Sequence, residues 1–247
     1  HEKPKTTISP IEKPAVNLTK AEIDAIEIWE EGEDAAEDIV IRQIKKAEGK
    51  PFRSVTGSTI EEIDELESDL RNIMDKSTLS KDETLHRVII DVDENKKLSK
   101  NISSMKVGDD VEATNFQATS KNPGFTTDHA ESLLERAEEN GIAANESNLI
   151  WQVINVKKGT NAIDFMEIAK KRGVFDNEHG LQQEVLLPDK GKMKLTKKFT
   201  RKDGSLEAHF DFIPEAVQGL PEILDVVANR GGFASPAYIT LSHAPGE

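Results

Sequence analysis

Apolar residues recur at helical spacing in the first third of the chain and alternate at strand spacing through much of the rest. Thr19-Lys20-Ala21-Glu22 has the spacing of a capping box, and Ile23, Ile26 and Trp29 follow on one helical face. Gly32 interrupts. Ile39, Val40, Ile41 and Ile44 then predict a second helix, ending near Gly49-Lys50-Pro51. Ser58-Thr59-Ile60-Glu61 reads as another capping box, leading into Ile63, Leu66, Leu70 and Ile73. The acidic residues opposite that face read as a solvated surface.

From residue 84 the period shortens to two. Thr84–Val92 predicts a strand bounded by a polar loop rich in Asp, Asn and Lys. Val107–Val111 reads as a turn, and Thr114–Ser120 as a short strand ending at Asn122-Pro123-Gly124. Asp128–Asn140 predicts a helix stopped by Gly141, Asn148–Val156 a strand, and Ala162–Lys171 a short helix. Leu181–Pro188, bounded by Gly180 and Pro188, reads as a strand, so Gln182 and Glu184 are expected on one face and Gln183 on the other. Lys192–Phe199 and Leu206–Ile213 predict a hairpin around Lys202-Asp203-Gly204-Ser205. Helices first and strands afterwards argue an α+β domain with a mixed or antiparallel sheet. Residues 1–17, with Pro4, Pro10 and Pro14, read as a flexible lead-in. Residues 214–247 read as an extension or linker, with one helix expected over Leu220–Ala228.

Composition narrows the function. A net charge of −14 disfavours attraction to phosphate backbones, which needs clustered Lys and Arg. With no cysteine, disulfides, thiolate metal sites and cysteine nucleophiles are excluded. No apolar run is long enough to span a bilayer, and the first residues do not resemble a signal peptide. The chain does not begin with Met, so we expect a piece of a longer polypeptide. Gly-x-Gly-x-x-Gly, Gly-x-Ser-x-Gly and His-x-x-x-His are all missing, and no metal site is expected. The basic stretch Lys190–Lys202 reads as a solvated hairpin.

Three pieces, in order, resemble the mono-ADP-ribosyltransferases of bacterial toxins and related phage and animal enzymes. Leu85-His86-Arg87 places an arginine on the first strand after the helices. Phe116-Gln117-Ala118-Thr119-Ser120 is similar to the family's aromatic-x-Ser-Thr-Ser strand, with alanine in place of the first serine. Gln182-Gln183-Glu184-Val185-Leu186-Leu187-Pro188 resembles the Gln-x-Glu strand of the clostridial Rho-modifying exoenzymes. The Ile/Trp helix and the Ser-Asp-Leu-Arg of residues 68–71 resemble that group too. The likeness spans residues 18–213 and implies one domain: a helical lobe followed by a mixed or antiparallel β-sandwich core.

The resemblance implies an enzyme that cleaves NAD, its substrate, at the nicotinamide–ribose bond and transfers ADP-ribose to a protein. It implies Glu184 as the carboxylate facing the oxocarbenium ion, and Arg87, with His86, as the pyrophosphate grip. Phe116, Thr119 and Ser120 would shape the nicotinamide pocket, and Gln182 and Phe175 would meet the acceptor. An amide at Gln182, where arginine-modifying relatives carry glutamate, suits an amide acceptor such as asparagine, or a nucleobase. Ala118 cannot orient Glu184 as the family's serine does, so another group must, or activity is weak or lost. A catalytically inactive interaction domain, a nucleic-acid-modifying transferase and a bare NAD glycohydrolase remain as alternatives. A toxin or effector role is implied: a soluble protein, secreted, injected or virion-associated, acting in a cytoplasm.

Overall fold

The computed structural model describes residues 17–215 apart from 33 and 93–95. The lead-in up to residue 16, the helix expected over 220–228 and the rest of the tail lie outside the described residues. Three helices open the fold: α1 (Lys20–Glu30), α2 (Asp34–Ala47) and α3 (Ile60–Lys76). Strand β1 (Glu83–Ile90) follows, then α4 (Lys97–Ser104), β2 (Asp110–Glu112) and β3 (Gln117–Ser120). Next come α5 (Pro123–Glu139), β4 (Leu149–Val156), β5 (Ile163–Asp164) and α6 (Phe165–Arg172). The last elements are α7 (Asn177–Gln182), β6 (Glu184–Leu187), β7 (Gly191–Thr200) and β8 (Leu206–Pro214).

The helical lobe follows its apolar stripes. Ile26 and Trp29 of α1, Ile39 of α2, and Ile63, Leu66, Leu70 and Ile73 of α3 share one core with Phe116, Ile163 and Leu186 from the sheet. Thr19 and Glu22 close the expected capping box. The second box forms one residue later than its spacing suggested, between Thr59 and Glu62. The Ser58 hydroxyl is instead in hydrogen-bond contact with that of Thr56. Glu67 departs from the solvated acidic face, because its carboxylate accepts from Arg42, Gln43 and Arg71.

Among the described residues, eight strands form one mixed sheet in the order β2-β7-β8-β4-β1-β3-β6-β5. Every pairing is antiparallel except β4 with β8. A single pair, His86 with Ser120, joins β1 to β3. The sheet therefore divides there into a five-stranded half and the three-stranded half β3-β6-β5. Val185 and Leu187 of the smaller half share a buried core with Leu85, Ile89, Ile150, Ile154 and Phe210 of the larger. The expected α+β sandwich is thus present, with its two halves still linked at one point.

Local predictions failed where contacts from afar decide the conformation. The polar loop after β1 contains α4, because Leu98 and Ile102, one turn apart, are buried in the sheet core. Asp91 ties that helix down by accepting from the backbone and hydroxyl of Ser99. α5 begins at Pro123, five residues before its predicted start, with Asn122 as N-cap and proline in the first turn. The predicted strand from Thr114 pairs only from Gln117, since the Phe116 N–H is taken by Gln43 Oε1 at 2.8 Å.

Candidate active site

The largest departure from the expected elements falls beside Glu184. The expected strand from Leu181 is helical in its first part: Gln182 ends α7, and Gln183 takes a left-handed conformation at φ 46°. β6 begins at Glu184. Gln182 and Glu184 therefore do not share a strand face, contrary to the period-two expectation for that pair. Six residues of α7 are closed by the Asp176 cap and by the amide of Gln182 donating to Glu178 at 3.0 Å.

The turn between α7 and β6 is clamped by the end of β3. Its three successive carbonyls each accept a hydrogen bond. Asn122 Nδ2 donates to Leu181 O (2.8 Å), the Ser120 hydroxyl to Gln182 O, and Lys121 N to Gln183 O (3.1 Å). A non-glycine residue in the left-handed region costs on the order of 1 kcal/mol and persists only where its surroundings impose it. The three donors supply that imposition and fix where Glu184 starts. Thr119 adds a fourth tie, donating to Val185 O at 2.6 Å.

Glu184 pairs in register with Ser120 and is half-buried. Its carboxylate accepts from Trp29 Nε1 at 3.0 Å. Burial raises its pKa to about 7, the Trp29 hydrogen bond opposes that rise, and the Glu30 charge adds to it. No cation is among these neighbours. Glu184 is thus a carboxylate held in place and short of positive charge. Trp29 is itself set by packing, buried to 9% exposure and edge-on to Phe116 at 6.3 Å. From the sequence Trp29 was only a helix-face residue. Nothing in its local pattern announces a partner 155 positions away.

The other predicted residues surround this point unequally. Arg87 lies on β1, between β4 and β3, and donates to Gln117 Oε1. Of the acids near it in sequence, Asp91 holds Ser99 and Glu112 pairs with Lys192. His86 faces away from Arg87 along the strand; its pKa is lowered, chiefly by burial. Phe116 is 1% exposed and lies behind the site, with the Arg71 guanidinium 5.1 Å from its ring centre. Arg71 is anchored to Asp189 at 2.6 Å. Ala118 is exposed, and Thr119 and Ser120 spend their hydroxyls on the β6 strand and the turn before it.

On the outer side, Phe175 is 44% and Leu181 63% exposed. Lys170 Nζ lies 5.4 Å from the Phe175 ring centre. His179 stands between Glu30 (3.2 Å) and Asp176, and Arg172 reaches Glu27 at 3.1 Å, so the α7 segment is tied to α1. A cavity of about 1330 Å³ lies elsewhere: it is lined by residues that include Arg42, Glu67, Arg71, Asp189 and Lys192, and by none of the predicted site residues. Among the described residues no cluster of His, Asp and Glu could hold a metal ion.

The helical lobe and the mixed sheet, split at β1–β3, form a fold similar to that of solved ADP-ribosyltransferases. An ADP-ribosyltransferase from Clostridium botulinum matches 80% of this chain with 89% of its own, at 12% identity and TM-score 0.51. The Clostridium limosum C3 exoenzyme matches 80% with 87%, at 15% identity and TM-score 0.52. The ADP-ribosyltransferase Vis, solved with agmatine, matches 79% with 75%, at 14% identity and TM-score 0.51. At these identities the likeness is one of fold. No protein-family model and no curated protein sequence matches the chain.

Proposed function

We propose that this chain is an NAD-dependent mono-ADP-ribosyltransferase that modifies a protein. The observation that carries this reading is Glu184: a half-buried carboxylate with a raised pKa, a directed N–H and no cation among the groups that set its charge. Such a group is complementary to positive charge. NAD brings a cationic nicotinamide ring, and cleavage of its glycosidic bond develops oxocarbenium character on the ribose. The bond from ribose C1′ to the nicotinamide nitrogen breaks with its electron pair leaving on nicotinamide. The acceptor's lone pair then forms the new bond to C1′ and the acceptor sheds a proton. Glu184 stabilises the charge between these events, preorganised by Trp29 in the role that Ala118 leaves vacant.

Arg87 is assigned to the pyrophosphate, which its guanidinium can grip through two oxygens. His86, Phe116, Thr119 and Ser120 then act mainly by holding the strands that carry Arg87 and Glu184. Gln182 and Phe175 lie at the outer rim and are assigned to the acceptor. The Gln182 amide both donates and accepts, which suits an amide acceptor, and exposed Phe175 and Leu181 offer apolar contact. Among the described residues no helix is long and apolar enough to cross a membrane. With a net charge of −14, a protein target is favoured over nucleic acid. We assign the chain the role of a toxin or effector.

The test is labelling of a cell lysate with tagged NAD, followed by mass spectrometry of the labelled proteins. The wild type should label a protein that Glu184→Gln does not, and nuclease treatment should leave the label intact. Equal labelling by both forms would reject Glu184 as the catalytic carboxylate.

A further inference from the structure

Next to Gln152, the β4 residue in register with Arg87, lies a small cavity of about 120 Å³ between α4, β2 and the larger half-sheet. Its walls are Leu98 and Ile102 of α4, Met105, Met193 and Phe210, and Gln152 is a buried polar side chain among them. Gln152 is 5% exposed, and its Oε1 is buried without a hydrogen-bond partner. Leaving a buried carbonyl unpaired is costly, so this oxygen favours any occupant that brings a donor. Apart from Gln117 and Gln152 its buried wall residues are apolar, and the polar Asn101, Glu112 and Thr114 line it where the chain is more exposed. A cavity of about 150 Å³ lined by aliphatic and aromatic side chains stays dry and takes up benzene, so this volume suits a ring of about six to eight heavy atoms. Ser104, Asp109 and Asp110 on its edge are exposed, which gives a route from solvent. Gln117 also lines the cavity, and its Oε1 is the acceptor for Arg87.

We propose that this cavity is a binding site for a small aromatic molecule carrying one hydrogen-bond donor, seated against Phe210 and donating to Gln152. Two features distinguish it from an ordinary packing defect. The first is an acceptor left over inside an apolar wall. The second is that the wall is completed by α4, a helix of polar composition held on the sheet by Leu98, Ile102 and the Asp91–Ser99 bonds.

Phenol is the probe, with benzene as its isostere lacking the donor. In titration calorimetry on the full chain, phenol should bind about tenfold more tightly than benzene, the factor expected for one satisfied buried acceptor. Gln152→Leu should erase that preference while benzene still binds. Ile102→Trp, which fills the space from the helix side, should remove both. Should Ile102→Trp fail to fold, Met193→Phe serves the same purpose from the sheet side. No binding of phenol to the wild type, or binding that survives the filling variants, overturns the proposal. Equal affinity for phenol and benzene overturns the role of Gln152. None of these readouts involves NAD, so they stand or fall separately from the transferase reading.

Discussion

The role proposed for Glu184 makes two outcomes measurable through its environment. Its pKa, raised to about 7, lies above the ordinary carboxylate value, so the folded state holds a proton that the unfolded chain has already released. Stability attributable to this group is therefore present at low pH and lost as pH rises towards about 7. Glu184→Gln removes a costly buried charge and keeps an acceptor for Trp29. Its unfolding free energy should exceed that of the wild type at pH 8 by about 1–3 kcal/mol, with the gap closing near pH 4–5. A variant no more stable at pH 8 than the wild type would show that the carboxylate is not strained. Trp29→Phe tests the other half of the pair. The indole N–H holds the pKa down, so its loss should move the acid limb of the NAD-cleavage profile upward by as much as about one pH unit. A merely structural Trp29 would lower activity at all pH values without moving the limb. The strand positions of Glu184 and Arg87 were legible in the sequence because each opens or lies within a short apolar run. The Trp29 partnership was not, since its bond to Glu184 exists only after α1 packs on the sheet.

Among the elements, the turn between α7 and β6 shows what periodicity can and cannot say. Val185, Leu186 and Leu187 announced a strand and form one. The residues just before them looked continuous with it, yet Asp176, Glu178 and the donors of Ser120, Lys121 and Asn122 close a helix and a left-handed turn instead. The bonds from Ser120 and Asn122 link segments about sixty positions apart and leave no local trace. α4 was missed for the same reason: two apolar residues in a polar stretch give too weak a stripe, and burial against the sheet supplies the rest. The clamp predicts a specific defect. Ser120→Ala strands the Gln182 carbonyl, should cost about 1 kcal/mol of stability, and should lower kcat about tenfold while NAD affinity barely changes. A matching loss of NAD affinity would place Ser120 in the NAD site itself. Gln182 belongs to the same turn, with its amide bonded to Glu178. Gln182→Ala should suppress transfer to the protein acceptor while sparing much of the NAD hydrolysis, both read on one preparation. Proportional loss of the two would remove the case for an amide acceptor.

At the scale of the whole molecule, the helical lobe, the mixed sheet and the closing hairpin were legible from the change of hydrophobic period and from turn residues such as Asp203-Gly204. Their assembly depends on contacts of long sequence separation: α1 and α3 pack on Phe116 and Leu186, and β4 pairs with β8. Ordered elements run from Lys20 to Pro214, and we propose that residues 18–213 form one domain. A fragment of residues 17–215 should therefore unfold in one cooperative transition and retain NAD cleavage; two transitions would argue for separate units. The claim that joins all three scales is that this fold presents Glu184 to a developing positive charge on ribose. Nicotinamide release from NAD by the purified chain, followed from pH 5 to pH 9 beside Glu184→Gln, tests it most directly. Release should rise with pH through about 7 in the wild type, and the variant should be slower by a hundredfold or more at pH 9, with the gap narrowing towards pH 5. A wild-type rate indifferent to pH across that range, or a variant that cleaves NAD as fast, would contradict it.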